Sequence, residues 1–303
     1  MIKYILPTIL FAHLPLLAMT DSNSNSIKPD AMGYCLYSAK SQKKMNLKIL
    51  GKHISASNVV YVGEKHDQIK DHLAQLKALE LLYPAKGKKI AVGFEMLNVT
   101  LQPILDDYAK GDISEDEFLE KANWEKEWGF DFNLYKPLFD FIREKKLKAL
   151  ALNIPKKIVA KIARIGLEGL MPEDRKFLPE NIHIPTDTKY LNFLKTSFGE
   201  HGDSPMSEMF TWENYLVSMS AWNEAMGAKM ADFLNKNKEY SGLVIAGNGH
   251  IIYNAGIPFS VKTRTKNLKH SSFYTEDAFT CPEKPDKEIF EYADFIWFIN
   301  HKD

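Results

Sequence analysis

The stretch from Asn58 to Gln75 constrains this chain more than any other. Val59-Val60-Tyr61-Val62 is a short, largely β-branched run, apolar on both faces, as a strand inside a parallel sheet must be. Gly63 ends the run, and Glu64, His66, Asp67 and His72 follow within nine residues. The arrangement returns twice. Ile90 to Phe94 is a second apolar run and leads to Glu95; Leu243 to Ala246 is a third and leads to Gly247-Asn248-Gly249-His250. Three buried-strand runs, each delivering Glu or His, point to one site at the carboxyl ends of an open α/β sheet, where such sheets hold their ligands.

The rest of the chain fits that plan. Leu73, Leu76, Leu79 and Leu82 recur at helical spacing between Asp71 and Tyr83, and Pro84 and Gly87 close the segment. With the strand Ile90 to Phe94 this makes a strand–helix–strand unit, hence a parallel, right-handed crossover. From about 97 to 145 the texture is helical. Leu101, Ile104, Leu105 and Tyr108 share a face, and Ser114 to Glu117 reads as a capping box. Trp124, Trp128, Phe130, Phe132 and Tyr135 then crowd together, a pattern that reads first as core. A strand is expected over Lys148 to Leu152 and a helix over Ile158 to Leu170. A proline-rich lid, helical in part, is expected over about 171–209, and a long Met- and Trp-bearing helix over Phe210 to Leu234. Phe259 to Thr263 and Phe295 to Ile299 read as edge strands. The fold class is therefore α/β: a mostly parallel sheet flanked by helices, with an inserted helical subdomain.

Charge excludes one class of partner. Lys plus Arg and Asp plus Glu both number 39, so there is no basic excess of the kind a phosphate backbone demands, and nucleic acid is not expected. At the amino end, Lys3 precedes an apolar run from Tyr4 to Ala18, too short to span a bilayer, and a polar stretch follows. This is the layout of a secretory signal peptide over residues 1–20, so the protein is expected to be exported, periplasmic or associated with the cell envelope. No Cys lies between Leu16 and Ser26, so a lipid-accepting lipoprotein Cys is not indicated. The two cysteines, Cys35 and Cys281, suit either a disulfide or a pair of buried thiols; their spacing excludes a Cys-rich zinc site.

Glu64, His66, Glu95 and His250 offer two carboxylates and two imidazoles. They suit a divalent metal with a position open to water, or a general base oriented by a carboxylate, and hence a hydrolase. Each alone has a plain structural use, as a cap, a backbone partner or part of a glycine turn; together at strand ends they favour function. The glycines of 247–250 lack the spacing and Lys of a P-loop, and no Gly-x-Ser-x-Gly elbow occurs. Tyr108, Tyr135 and Tyr253 lie near the lobe or a strand end, and a phenolate can hold ferric haem iron. Lys65 and Lys70 flank His66 and could meet carboxylates.

These residues also carry a resemblance. Val-Gly-Glu-Lys-His-Asp (62–67) with His72 and Gln75, and Gly-Phe-Glu-Met (93–96) with Gln102 and Tyr108, resemble the ChaN family of haem-binding, iron-regulated bacterial proteins. So do Trp128 with Tyr135 and Pro137, Asn153 with Pro155, Trp222-Asn223 with Met226, and Ala-Gly-Asn-Gly-His-Ile (246–251) with Gly256-Ile257-Pro258. The matches run in family order to Asp294-Phe295-Ile296-Trp297-Phe298. The resemblance implies a fold shared with the erythromycin esterases and the Tiki/TraB proteins, and a single haem-binding domain over 21–303. It further implies haem at a homodimer interface, with a tyrosine on the iron and His and Lys on the propionates, in iron acquisition alongside an outer-membrane receptor or transport system. Tyr135 and Tyr108 lead as iron ligands because both match family positions in or beside the lobe. His66 and Lys70 lead for the propionates, with His250 also at the cofactor. Family members are often lipoproteins; lacking the Cys, this chain is expected to be a soluble periplasmic form.

Overall fold

The computed structural model describes residues 34–200, 211–278 and 280–300. An opening hairpin, β1 (Tyr34–Ser38) and β2 (Lys43–Met45), is followed by helix α1 (Leu47–Ala56), β3 (Val59–Glu64) and α2 (Ile69–Lys86). Next come β4 (Ile90–Asn98), the lobe helices α3 (Gln102–Lys110), α4 (Glu115–Ala122), α5 (Trp124–Glu127) and α6 (Lys136–Lys145), then β5 (Lys148–Asn153). After α7 (Lys156–Ile165), α8 (Pro172–Arg175), α9 (Thr188–Glu200) and the long α10 (Trp212–Lys236), the chain returns through β6 (Ser241–Gly247), α11 (Asn248–Ile251), α12 (Ile257–Arg264), β7 (His270–Ala278) and β8 (Phe295–Asn300). The strands form one sheet in the order β2-β1-β8-β7-β3-β6-β4-β5. From β8 to β5 every pairing is parallel; β1 pairs antiparallel with both β2 and β8.

The both-faces-apolar runs explain the layers. Val60, Val62, Leu243 and Ile245 point into a core shared with α1, α2 and the lobe. Val59, Tyr61, Val244 and Ala246 point the other way, against α10 and α12. Gly93 shows how close the second layer comes: a Cβ there would lie 2.8 Å from Met230 Cε and 2.6 Å from Leu152 Cδ1. The lobe sits where the inserted helical subdomain was expected. Ser114 caps its second helix, its Oγ accepting from Glu117 N at 3.2 Å, while the Glu117 carboxylate pairs with Lys121. Its aromatics form the core, Tyr108 stacking on Phe118 at 4.3 Å and Trp124 edging Phe132 at 5.1 Å. At the far rim, among the described residues, β5 has no strand neighbour beyond it. There the Gln102 amide takes that place, accepting from Ala151 N at 2.8 Å and donating to Ala149 O at 3.0 Å.

Several elements differ from the sequence reading. Gly63 does not end β3, which runs through Glu64, and β4 carries Glu95 within it. Phe259 to Thr263 is not a strand but part of α12: Pro258 suits a first helical turn, and Val261 packs on the α10 layer. Phe295 to Ile299 is a strand, yet an interior one between β1 and β7. The strand β7 was not anticipated because its buried side chains are polar. Ser271, Ser272 and Thr275 are all buried, with Ser271 bonded to Ser57, Ser272 to Asp294 and Thr275 to Asp71. The helix expected to reach Leu170 stops at Ile165, where Gly166 takes φ +70°. Cys35 and Cys281 form a disulfide with Cα atoms 5.7 Å apart. The expected signal segment lies outside the described residues, as does the end of the expected lid, of which α8 and α9 are seen.

Candidate functional site

Glu64, at the carboxyl end of β3, is buried and gathers its donors from three directions. His66 Nδ1 lies 2.7 Å from its Oε1, and the Tyr135 hydroxyl donates to the same oxygen at 2.9 Å. Gln75 Nε2 donates to Oε2 at 2.5 Å, and His72 Nδ1 is 3.3 Å from that oxygen. Trp128 Nε1 in turn donates to the Tyr135 oxygen at 3.0 Å, so lobe, α2 and sheet meet on one carboxylate. Burial alone would raise this carboxyl; the charges and hydrogen bonds of His72 and His66 outweigh it and hold Glu64 far below the ordinary range. Burial would likewise lower His66, but its bond to Glu64 and the charges of Glu95, Glu64 and Asp67 raise it to about 9. His72 moves up for the same reason, and its other nitrogen sits 3.1 Å from His66 O.

A second pair stands beside the first. His250 Nε2 is 3.1 Å from Glu95 Oε1, and Gly247 N donates to Glu95 Oε2 at 2.7 Å. His250 Nδ1 meets Asn223 Oδ1 at 2.7 Å; Asn223 donates to the Tyr190 hydroxyl at 2.9 Å, and that hydroxyl donates to Gly249 O at 3.1 Å. This directional chain puts a proton on His250 Nδ1. Burial raises Glu95, yet His250 and His66 together hold it below its ordinary value. The two pairs meet across Gly247, where a Cβ would stand 2.9 Å from His66 Cε1 and 3.6 Å from Glu95 Oε2. Aromatic rings pack against both pairs: Trp128 and Phe130 lie 4.8 and 5.2 Å from the His66 ring, and Trp222 4.8 Å from His250.

The four residues singled out from sequence are thus brought together, though as two carboxylate–imidazole pairs. Among the described residues no cluster of three or more His, Cys, Asp or Glu is set to hold a metal ion, so the expected divalent-metal set is not assembled. Tyr135 and Tyr108 are both fully buried; Tyr135 is bonded to Glu64, and the Arg143 guanidinium covers the Tyr108 ring at 4.5 Å. Tyr253 is half-buried. Lys65 pairs with Asp277 at 2.6 Å, while Lys70 stands in the first turn of α2. Sequence reasoning missed Tyr190 and Asp71. Asp71 is buried, accepts from Lys65 N at 2.7 Å and from Thr275 at 2.9 Å, and so pins the loop that presents His66. Its place four residues after Asp67 gave no periodic signal.

Among solved structures the chain is similar to ChaN of Campylobacter jejuni, described as binding haem cofacially, at 17% identity and a TM-score of 0.68, over 89% of this chain and 98% of that one. It also resembles a variant of the erythromycin esterase EreC in its open conformation, at 12% identity and TM-score 0.46, over 88% and 83% of the two chains. A succinoglycan biosynthesis protein matches at 13% identity and TM-score 0.46, over 90% and 95%. No curated protein matches the sequence. The family model for haem-binding uptake proteins of the Tiki superfamily, ChaN, matches residues 50–261, which span both carboxylate–imidazole pairs and the lobe, and the chain belongs to that family.

Proposed function

We propose that this chain is an exported haem-binding protein of iron acquisition, a single α/β domain from residue 21 onward that takes haem between two copies of itself, with a tyrosine on the iron. The observation that carries the reading is the family match over residues 50–261. Three features support it. The Cys35–Cys281 disulfide suits an oxidising compartment outside the cytoplasm. His66, raised to about 9, is a charged donor at neutral pH and, with Lys70, suits propionate carboxylates. The Trp128 and Phe130 rings beside His66 offer the apolar wall that a flat macrocycle needs. When bound, haem would supply a ferric centre, and His66 and Lys70 would hold its carboxylates. An outer-membrane haem receptor or transport system is the proposed partner.

A haem titration of the purified protein tests this. Saturable binding with a ferric high-spin, phenolate-type charge-transfer band is expected, together with a doubling of mass in sedimentation velocity on loading. No saturable spectral change would end the haem reading.

A second reading, favoured by the two pairs facing each other across Gly247, is a His-based hydrolase using Glu64, His66, Glu95 and His250. It expects Glu64→Gln to abolish turnover of simple esters while the haem titration stays unchanged.

A further inference from the structure

The formal charge of zero conceals an uneven distribution. Strands β3, β4, β5, β6 and β7 run parallel with their carboxyl ends at the site, so the loops that enter them lie together on the opposite rim. Lys86-Gly87-Lys88-Lys89 enters β4, Lys145-Lys146-Leu147-Lys148 enters β5, Lys236-Asn237-Lys238-Glu239 leads to β6, and Arg264 to Lys269 lead to β7. These four stretches hold eleven basic residues against one acid, Glu239, whereas the cleft side carries Glu64, Asp67, Glu95, Glu276 and Asp277. The helix macrodipole accounts for Lys86, Lys145, Lys236 and Arg264, in the last turns of α2, α6, α10 and α12. It does not account for the lysines beyond the helix ends. Lys88, Lys146, Lys238, Lys266 and Lys269 are exposed and form no ion pair among the described residues. Lys148 and Arg264 are tied to Asp106 and Glu224, and Asp294, just ahead of β8, accepts from Ser272 N at 2.9 Å. Lys89 and Lys145 reach Glu239 and Glu144, and they also lie over half-buried rings. Lys89 is 4.9 Å from the Tyr240 ring, and Lys145 is 5.8 Å from Tyr83 and 5.7 Å from Phe141.

We propose that this lysine rim is a docking surface for an anionic lipid bilayer, which it meets with the ligand cleft turned away. Five adjacent strands at about 4.8 Å each make the rim about 20 Å wide, and their entry loops lie at one level. Its unpaired charges are all lysine. Mobile point charges suit a fluid layer of lipid phosphates, whereas bidentate grip on fixed phosphates selects arginine. Lysine stems beside Tyr83, Phe141 and Tyr240 also give the mixture of ammonium heads and aromatic rings that a bilayer interface accommodates. Docking here leaves Glu64, His66, Glu95 and His250 on the aqueous side, so a ligand can enter or leave while the protein stays at the membrane. The proposal stands apart from the haem reading, because no cleft residue takes part in it.

The test is co-sedimentation of the purified protein with phosphatidylcholine vesicles that contain or lack phosphatidylglycerol. It is run at low salt and at about 0.5 M salt, where charge is screened beyond a few ångströms. Saturable binding to the phosphatidylglycerol vesicles alone is expected, weakened about tenfold or more by the salt. Lys88→Gln with Lys146→Gln and Lys266→Gln removes one exposed charge from each of three rim loops, and should weaken binding on the order of a hundredfold. Lys126→Gln with Lys157→Gln and Lys195→Gln, three exposed lysines of α5, α7 and α9 on the cleft side, should bind like the parent. Circular dichroism checks that both triple variants fold. A folded parent indifferent to phosphatidylglycerol, binding that survives the salt, or a rim variant that binds like the parent overturns the proposal. Equal weakening by the two triple variants does so too, since it would report net charge rather than one face. Capture of duplex DNA at the same salt as tightly as the vesicles also overturns it, making the rim a general polyanion surface.

Discussion

Glu64 is the residue on which the others depend. A buried carboxylate with donors from His66, His72, Gln75 and Tyr135 is stabilised only while those donors remain, and removing one side of such a set costs about 3–5 kcal/mol. Glu64→Gln should therefore lower the unfolding free energy by that order, measured by urea denaturation. It should also return His66 toward its ordinary value, read from the imidazole proton shifts in NMR; a His66 that still titrates near 9 in the variant would contradict the pairing described above. The sign of the pH dependence follows. His66 is raised from an ordinary value of about 6.5 to about 9, so its stabilisation is complete below about 6.5 and is lost as pH rises through 9. At one pKa unit per about 1.4 kcal/mol, the parent protein should lose a few kcal/mol between pH 6.5 and 9 that Glu64→Gln never had. Tyr135→Phe tests the lobe side of the same carboxylate. It leaves Glu64 one donor short and Trp128 Nε1 without its acceptor, which should cost about 1–3 kcal/mol in thermal or urea unfolding.

At the scale of elements, the sheet's opening hairpin is held by more than its ladder. The Cys35–Cys281 bond joins β1 to the segment between β7 and β8 across 246 residues of chain, and the Tyr37 hydroxyl donates to Pro282 O beside it. By loop-closure entropy so long a connection stabilises by about 5 kcal/mol at most. Cys35→Ser with Cys281→Ser should lower the melting temperature markedly, and reductant should do the same to the parent but not to the double variant. Differential scanning calorimetry with and without dithiothreitol checks this. The elements also show where sequence reading succeeds. Val59 to Val62, Ile90 to Phe94 and Leu243 to Ala246 were legible because a parallel strand covered on both faces must be apolar throughout. The β7 strand was not, because its buried Ser and Thr side chains are satisfied by partners from β3, α2 and Asp294, just before β8, that no local pattern announces. Residues 259–263 were misread because five residues cannot separate a period of two from one of 3.6, and packing against α10 decided the outcome.

For the whole molecule, the site was more legible than the frame around it. Glu64, His66, Glu95 and His250 do converge, since successive parallel strands must bring their carboxyl ends to one edge. Their pairing into two separate carboxylate–imidazole units could not be read, because it depends on Gly247 lying between them and on Asn223 and Tyr190 arriving from α10 and α9. The burial of Tyr135 was equally hidden: an aromatic cluster in sequence does not say which ring turns inward. The rim of the sheet carries a consequence of a different kind. A strand with a bare outer edge is a template on which another polypeptide can lengthen the sheet, and β5 lies at such an edge. Gln102 fills the vacancy with a single side-chain amide, satisfying one carbonyl and one N–H as a neighbouring backbone would. Gln102 thereby occupies the place at which another strand would pair with β5. Gln102→Ala should leave haem binding intact yet shorten the time to turbidity at high concentration, with light scattering as the gauge, making this glutamine a keeper of solubility in a chain whose formal charge is zero.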